Sequence, residues 1–376
     1  MKLLSLELEN YRNHPRLHLE LDPQKPLNYI IGANGLGKTN VLEAIYLLAL
    51  IKSFRATKNE EIIQWGSSYS RIQGKFLPDQ EDESPKDLEV FLGIPPQPQR
   101  VLKQNGIKTN PFQFIGSCQI VFFHPEDLEI LYLGPSFRRR YLDIINLQIN
   151  KTYYRDLKTN QKILKQRNAL LKNNVLQTKP LDLEIWDEQF AQTSATLILE
   201  RLKTIEYLQK FLTIFYTQIS QGNEELKVHY QNSTLEELNH QGQTINAEKI
   251  SSELLKNTLT QQLKNHHRID LQAKRTLLGP HRDDIIFSIN QKPLSSSSRG
   301  EHRSLLLALK LIELQFFKEK TQNTPLLLLD DVFSELDPNR QHMLLKAIQN
   351  HQTIIATTHA ENFFWELPAN ELKITS

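Results

Sequence analysis

The hydrophobic pattern changes period along the chain, and those changes divide it. Leu4, Leu6 and Leu8 alternate with Ser5, Glu7 and Glu9, and Leu17, Leu19 and Leu21 alternate with His18 and Glu20. Period-two alternation predicts two half-buried strands joined by the turn-rich Asn10 to Pro15. A mainly apolar run, Leu27 to Ile31, is followed by Val41, Ala44, Ile45 and Leu48 at the spacing of one helical face. Short strand-like runs continue to about Asn110, around an acidic hydrophilic loop (Asp79 to Asp87) and a proline-rich turn at Ile94 to Pro98. Gln119 to Phe123 reads as a buried strand, and Pro125 ends its ladder pairing. From Glu126 to Ala273 the pattern is mainly helical, with no heptad sustained enough for an extended coiled coil. Alternation returns at Ile285, Phe287 and Ile289. A helix is expected from Glu301 to near Lys320, with Ser298 and Glu301 at capping-box spacing. Leu326 to Asp331 and Ile354 to His359 read as further strands. The fold expectation is α/β: one sheet assembled from residues 1–125 plus 274–376, around a mainly helical inserted lobe at 126–273.

The loop after the Leu27 run carries the clearest chemistry. Gly32, Ala33, Asn34, Gly35, Leu36, Gly37, Lys38 and Thr39 fit G-x-x-x-x-G-K-[ST], between a predicted strand and a predicted helix. Glycines let backbone N–H groups curl around a phosphate without Cβ clashes. The helix opening at Lys38 presents its positive dipole end. Lys38 supplies a full charge for the outer phosphates, and the Thr39 hydroxyl suits Mg²⁺. The motif therefore predicts ATP and Mg²⁺ as ligands. Leu326 to Asp331 (LLLLDD) supplies the complementary acids. Asp330 at the carboxyl edge of a buried strand is placed for Mg²⁺, and Asp331 for orienting or deprotonating a water. Ser298-Arg299-Gly300-Glu301 is a second small-residue segment before a helix N-terminus. Two such ends suggest nucleotide sandwiched between two copies of the chain. Lys52 to Arg55 reads either as a basic helix cap or as a ligand contact.

Composition narrows the setting without naming a partner. The 376 residues carry a net charge of +2, so any nucleic-acid argument rests on local clustering. Arg138 to Lys179 holds eleven Lys/Arg against two Asp/Glu, a local excess of nine positive charges. Arg138, Arg139 and Arg140 lead this run, with Tyr141, Tyr153 and Tyr154 interspersed. It reads either as a phosphate-binding surface or as a solvated face paired with the acidic Leu181 to Glu206 segment. The single Cys118 excludes an intramolecular disulfide framework and suits a reducing compartment. The N-terminus lacks a signal-peptide apolar region, and no apolar stretch approaches a membrane span. A cytoplasmic protein with no membrane partner is expected.

Read together, the motifs resemble an ABC-type ATPase head of the SMC kind, and more closely the bacterial RecF family. The resemblance rests on LENYRNHPRL (Leu8 to Leu17), GANGLGKTNVLEAIY (Gly32 to Tyr46), HPEDL (His124 to Leu128), RRRYLD (Arg138 to Asp143), GPHRDD (Gly279 to Asp284) and LLLLDDVFSELD (Leu326 to Asp337). It implies that residues 32–39 bind ATP, that Asp330 takes the Mg²⁺ role, and that Ser298 and Gly300 form the signature across a homodimer. It places Asp337 in the D-loop and His359 in the switch position near the γ-phosphate, with Asp331 and His359 as the catalytic pair. It also implies a weak DNA-stimulated ATPase acting with RecR and RecO on single-stranded, gapped or duplex DNA, helping to load RecA at gaps and supporting the SOS response. The alternative is an ABC-type ATPase subunit coupled to a membrane or other protein partner. Two departures stand out: the signature usually runs Ser-Gln-Gly-Gln, and ABC heads commonly carry Glu where this chain has Asp331. No Q-loop glutamine is evident, since Gln119 precedes its strand and HPEDL occupies that region.

Overall fold

The computed structural model describes residues 1–33, 35–80, 83–97, 99–173, 180–357 and 368–373. In chain order, strands β1 (Lys2–Tyr11), β2 (His14–Glu20) and β3 (Leu27–Ile31) precede helix α1 (Lys38–Leu50). Next come β4 (Tyr69–Leu77), β5 (Lys86–Gly93), β6 (Arg100–Gln104), β7 (Ile107–Thr109), α2 (Pro111–Phe114) and β8 (Ile120–Phe123). Helices α3 (Glu129–Tyr132), α4 (Pro135–Ile149), α5 (Lys151–Asn173) and α6 (Pro180–Ser220) follow, then β9 (Leu226–Gln231), α7 (Ser233–His240) and α8 (Ser252–Ala273). The chain continues through β10 (Asp284–Ile289), β11 (Lys292–Pro293), α9 (Arg299–Thr321), β12 (Leu326–Asp330), α10 (Pro338–Ile348), β13 (Thr353–Thr357) and β14 (Ala369–Lys373).

These elements form two compact units. The first comprises Met1–Leu128, Leu147–Lys151 and Arg303–Ser376, and the second Glu129–Asn146 and Thr152–His302. The first unit holds two sheets where one was expected. Strands β2-β1-β4-β5-β6-β7 make a six-stranded sheet with antiparallel pairing throughout, and β14-β3-β13-β12-β8 make a five-stranded parallel sheet. The half-polar alternation of the N-terminal strands suits an antiparallel sheet, whereas LLLLD and IVFF are buried at every position, as parallel strands are. A bulge between Leu3 and Ser5 shifts β1, so Leu3 rather than Leu4 joins the core.

Helix α1 packs against strands of both sheets, which explains its burial from Val41 through Leu50 rather than on one face. That burial engulfs Glu43, which is fully buried and bridged by two arginines. Arg12 donates to both carboxylate oxygens at 2.6 and 2.9 Å, and Arg55 approaches at 3.1 Å. The Ser53 hydroxyl donates to the same group. An isolated buried charge would be expelled, so the arginines are what permit an acid inside this helix.

The second unit is mainly helical, with one departure from expectation. β10 pairs with β9 and β11 in a separate three-stranded sheet. The boundary expected at residue 273 therefore falls after His302. The polar blocks of this unit knit it internally. Arg201, 3 % exposed, reaches Asp143 at 2.9 Å, Asp283 at 3.3 Å and the Pro280 carbonyl at 2.7 Å. Asn232 donates to Asp283 at 2.7 Å, and the Tyr230 hydroxyl donates to the same carboxylate. Arg167, buried completely, pairs with Asp187 at 2.8 Å and Asp270 at 2.7 Å.

Candidate functional site

The carboxyl edge of the parallel sheet gathers the predicted nucleotide residues of the first unit. β3 ends at Ile31 and α1 begins at Lys38, so residues 32–37 form the loop. Gly35 and Gly37 have φ of 88° and 90°, the left-handed region that glycine enters without Cβ strain. A Cβ on Gly37 would also strike the side chains of Asn13 and His14. Asn13 comes from the β1–β2 turn and His14 from the first position of β2, and together they clasp the loop. His14 Nε2 lies 3.3 Å from the Gly37 carbonyl, and Asn40 Nδ2 donates to Asn13 Oδ1 at 2.7 Å. Among the described residues no side chain caps the N-terminus of α1, so its first N–H groups face the loop as an anion site. Asn34 lies outside the described residues.

Lys38 Nζ donates to the Gly32 and Ala33 carbonyls, at 2.7 and 3.0 Å, which curls the lysine over its own loop. Burial lowers its pKa, against the opposing pull of Asp331 and Asp330. Both acids are thus electrically close to the lysine. Thr39 Oγ1 donates to Asp330 Oδ1 at 3.0 Å. A hydroxyl and a carboxylate at that separation form the hard-oxygen pair that Mg²⁺ favours. Asp330 is 7 % exposed and its pKa is raised, by burial first and by Asp331, with Thr39 and His124 opposing. Asp331 is the complementary acid: it is exposed, with φ of 50°, and its N–H donates to the Ala356 carbonyl at 3.0 Å. The left-handed turn, tolerated by Asp better than by most residues, sends the two adjacent carboxylates into different environments.

Other predicted residues are accounted for differently. Asp337 caps α10, accepting the Arg340 N–H at 3.0 Å and pairing with its guanidinium. Ser298 and Gly300 lie in the second unit, where Ser298 opens α9 in a closed capping box. The Ser298 N–H donates to Glu301 Oε2 at 2.6 Å, and the Glu301 N–H donates to Ser298 Oγ at 3.2 Å. Those bonds hold the Glu301 carboxyl below its usual range. His359 lies outside the described residues. Of the KSFR segment, Arg55 is no cap for the C-terminus of α1, which ends at Leu50 with Ile51 as its cap. It folds back to Asn40 Oδ1 at 2.6 Å, at the phosphate end of the helix.

Within the basic run, Arg138 is bound to both oxygens of Asp284 at 2.7 and 2.9 Å, and Arg139 donates to the Asp283 carbonyl at 2.6 Å. Arg140 is exposed. Tyr141 and Tyr153 are buried, so neither presents a ring for stacking. The exposed cations on α5 include Arg155, Lys158, Lys162, Lys165 and Lys172. The spacing of these five, three, four, three and seven residues, puts them on one helical stripe about 26 Å long. Sequence reading passed over Asn13, His14, Asn40 and His124 as site residues. The only signal for them was membership in the resembling blocks.

A family model described as an AAA ATPase domain matches residues 1–364. The chain is 37% identical over 370 residues to the DNA replication and repair protein RecF of Lysinibacillus sphaericus (strain C3-41), covering 97% of this chain and 95% of that protein. It is 37% identical over 366 residues to the RecF of Halalkalibacterium halodurans, covering 96% and 94%. Among solved structures, the recombination mediator protein RecF–ATP of the RecFOR pathway superposes with a TM-score of 0.87 at 35% identity, over 99% of this chain and 95% of that one. The Smc head bound to the C-winged helix domain of ScpA shares the fold, with a TM-score of 0.53 at 14% identity, over 96% of this chain and 90% of that one.

Proposed function

The chain belongs to the RecF family of DNA replication and repair proteins, and from that premise we propose that it is an ATP-gated DNA-binding ATPase of recombinational repair. The single observation that carries this reading is the loop geometry: an uncapped helix N-terminus, Lys38 curled over it, and Thr39 3.0 Å from Asp330. These groups fit ATP and Mg²⁺. The metal–nucleotide pair would supply the phosphoanhydride bond and the charge that polarises it. The residues do the rest. Backbone N–H groups and Lys38 would hold the phosphates, and Thr39 and Asp330 would hold the cation. Asp331, exposed beside them, orients the attacking water and accepts its proton.

In this proposal ATP draws two copies together, with Ser298 and Gly300 of each completing the other's site and His359 sensing the γ-phosphate. The stripe on α5 then holds DNA by its phosphates, without base readout. Acting beside RecR and RecO in the cytoplasm, the protein would mark gapped or single-stranded regions for RecA loading and so support the SOS response. The family membership and the RecFOR context of the solved relative support this. The test is a binding titration with gapped duplex DNA, run with ATP–Mg²⁺, with ADP–Mg²⁺ and without nucleotide. ATP–Mg²⁺ should tighten binding at least tenfold for wild type and not at all for Lys38→Met. Equal affinity in all three conditions would overturn ATP gating.

A further inference from the structure

His124, at the end of β8, has no assigned role. β8 pairs with β12 in parallel register, Phe123 opposite Leu329, so the next residues of the two strands, His124 and Asp330, leave the sheet side by side. His124 Nε2 stands 3.5 Å from Asp330 Oδ2, while the Thr39 hydroxyl holds the other oxygen. The donor assignment of the ring follows from its far side. The Glu126 N–H donates to His124 Nδ1 at 3.2 Å. A backbone amide can only donate, so Nδ1 accepts here and the ring N–H left to donate is Nε2–H, toward Asp330.

The donor is also fixed in place. The His124 N–H donates to Asp127 Oδ2 at 3.0 Å, and the Asp127 N–H returns to the His124 carbonyl at 2.9 Å. Asp127 is in turn paired with the buried Lys310 at 3.2 Å. The imidazole packs against Phe54 and Phe122, with ring centroids 5.0 and 5.4 Å away, and its side chain is 12 % exposed. A shift of about half an ångström would bring Nε2–H to hydrogen-bond distance of the carboxylate.

We propose that His124 is the positioning residue for Asp330, pinning Oδ2 so that Oδ1 faces the Thr39 hydroxyl and the divalent cation of the nucleotide site. The inference rests on the ATP–Mg²⁺ reading above. Partners that orient a ligating side chain commonly tune metal affinity by about 10–100-fold. The alternative is that His124 is only one ring of an aromatic cluster with Tyr46, Phe54 and Phe122. Two variants separate these roles. His124→Phe keeps a ring and removes the donor; His124→Gln keeps an N–H donor and loses the ring.

The measurement is Mn²⁺ binding by electron paramagnetic resonance, on full-length protein loaded with the non-hydrolysable nucleotide AMP-PNP. Nucleotide affinity in EDTA and thermal stability are followed in parallel. His124→Phe should lower Mn²⁺ affinity about 10–100-fold while its EDTA nucleotide affinity stays that of wild type, and His124→Gln should recover most of the loss. His124→Phe with wild-type Mn²⁺ affinity, or His124→Gln no better than His124→Phe, would overturn the positioning role. Wild-type protein that binds AMP-PNP without retaining Mn²⁺ would overturn the metal–nucleotide reading instead, and this role with it.

Discussion

Neutralising Lys158, Lys162 and Lys165 to Gln tests the proposal that α5 holds DNA. The three lysines are exposed on one stripe of α5, and among the described residues none of them pairs with a carboxylate. Lys158 stands 5.9 Å from the Tyr154 ring and donates to Gln161 at 3.4 Å, solvent-exposed interactions that cost little to remove. Stability should change by no more than about 0.5 kcal/mol per site. Each lysine that no longer neutralises a phosphate lowers the salt-dependence slope by about 0.9 on duplex and 0.7 on single strands. Three neutralised lysines flatten the log–log slope by about 2.7 or 2.1, and at 0.15 M salt the duplex figure corresponds to affinity falling on the order of 100-fold. Fluorescence anisotropy with a labelled gapped duplex, over a range of salt concentrations around that value, measures both quantities. The contrast is Arg138→Gln, which breaks the two-point pair with Asp284. It should cost about 1–3 kcal/mol of stability and leave the slope unchanged. A triple variant with the wild-type slope would refute the stripe, and a flattened slope in Arg138→Gln would return the DNA contact to the start of α4.

Further outcomes follow from the first unit. Lys38→Met should abolish ATP binding, read by isothermal titration, because the loop loses its only motif-supplied cation. Asp331→Asn should retain ATP but hydrolyse it at least tenfold more slowly, whereas Asp330→Asn should lose the Mg²⁺ dependence of binding; single-turnover assays separate the two. Glu43→Gln should destabilise the protein by about 2–3 kcal/mol, below the value for fully buried pairs because Arg12 and Arg55 are partly exposed. The pKa of Glu43 is lowered: burial pushes it up, but Arg12 and Ser53 outweigh that. Its contribution is therefore present above the usual carboxylate value of 4.5 and is lost as pH falls through the lower folded value. Thermal melts from neutral pH down through that range should show a shallower acid decline in the variant.

Local patterns predicted local structure well here, because each strand and helix advertises its own burial. The loop at 32–39, the helix after it and the strand delivering Asp330 were all legible, since their chemistry needs contiguous residues. Partnership between distant segments was not. Ile285, Phe287 and Ile289 announce a strand, but nothing in them says that β9 rather than the parallel sheet is its neighbour. Val41 to Leu50 shows a helical stripe, yet the second sheet that buries its other side comes from strands whose pairing is non-local. The same limit governs charge. Arg138 and Lys158 look alike in sequence, and only their folded neighbours, the Asp284 carboxylate for one and the neutral Gln161 and Tyr154 for the other, separate a structural cation from an available one. HPEDL was placed in the Q-loop region, but the particular role of His124 was not legible, because it depends on ladder register with β12, a strand far along the chain.

Nucleotide state is expected to control association of two copies through the Ser298 end of α9. Light scattering on the full-length protein with ATP–Mg²⁺, with ADP–Mg²⁺ and without nucleotide tests it most directly, alongside Ser298→Arg and Glu301→Gln. Gln preserves the capping-box acceptor while removing the charge held on Ser298, so it isolates the electrostatic cost of bringing a γ-phosphate there. Wild type should show twice the monomer mass with ATP–Mg²⁺ only, Ser298→Arg should stay a monomer in every condition despite normal ATP binding, and Glu301→Gln should form a tighter ATP-dependent dimer. The same mass for wild type in all three nucleotide conditions would contradict it.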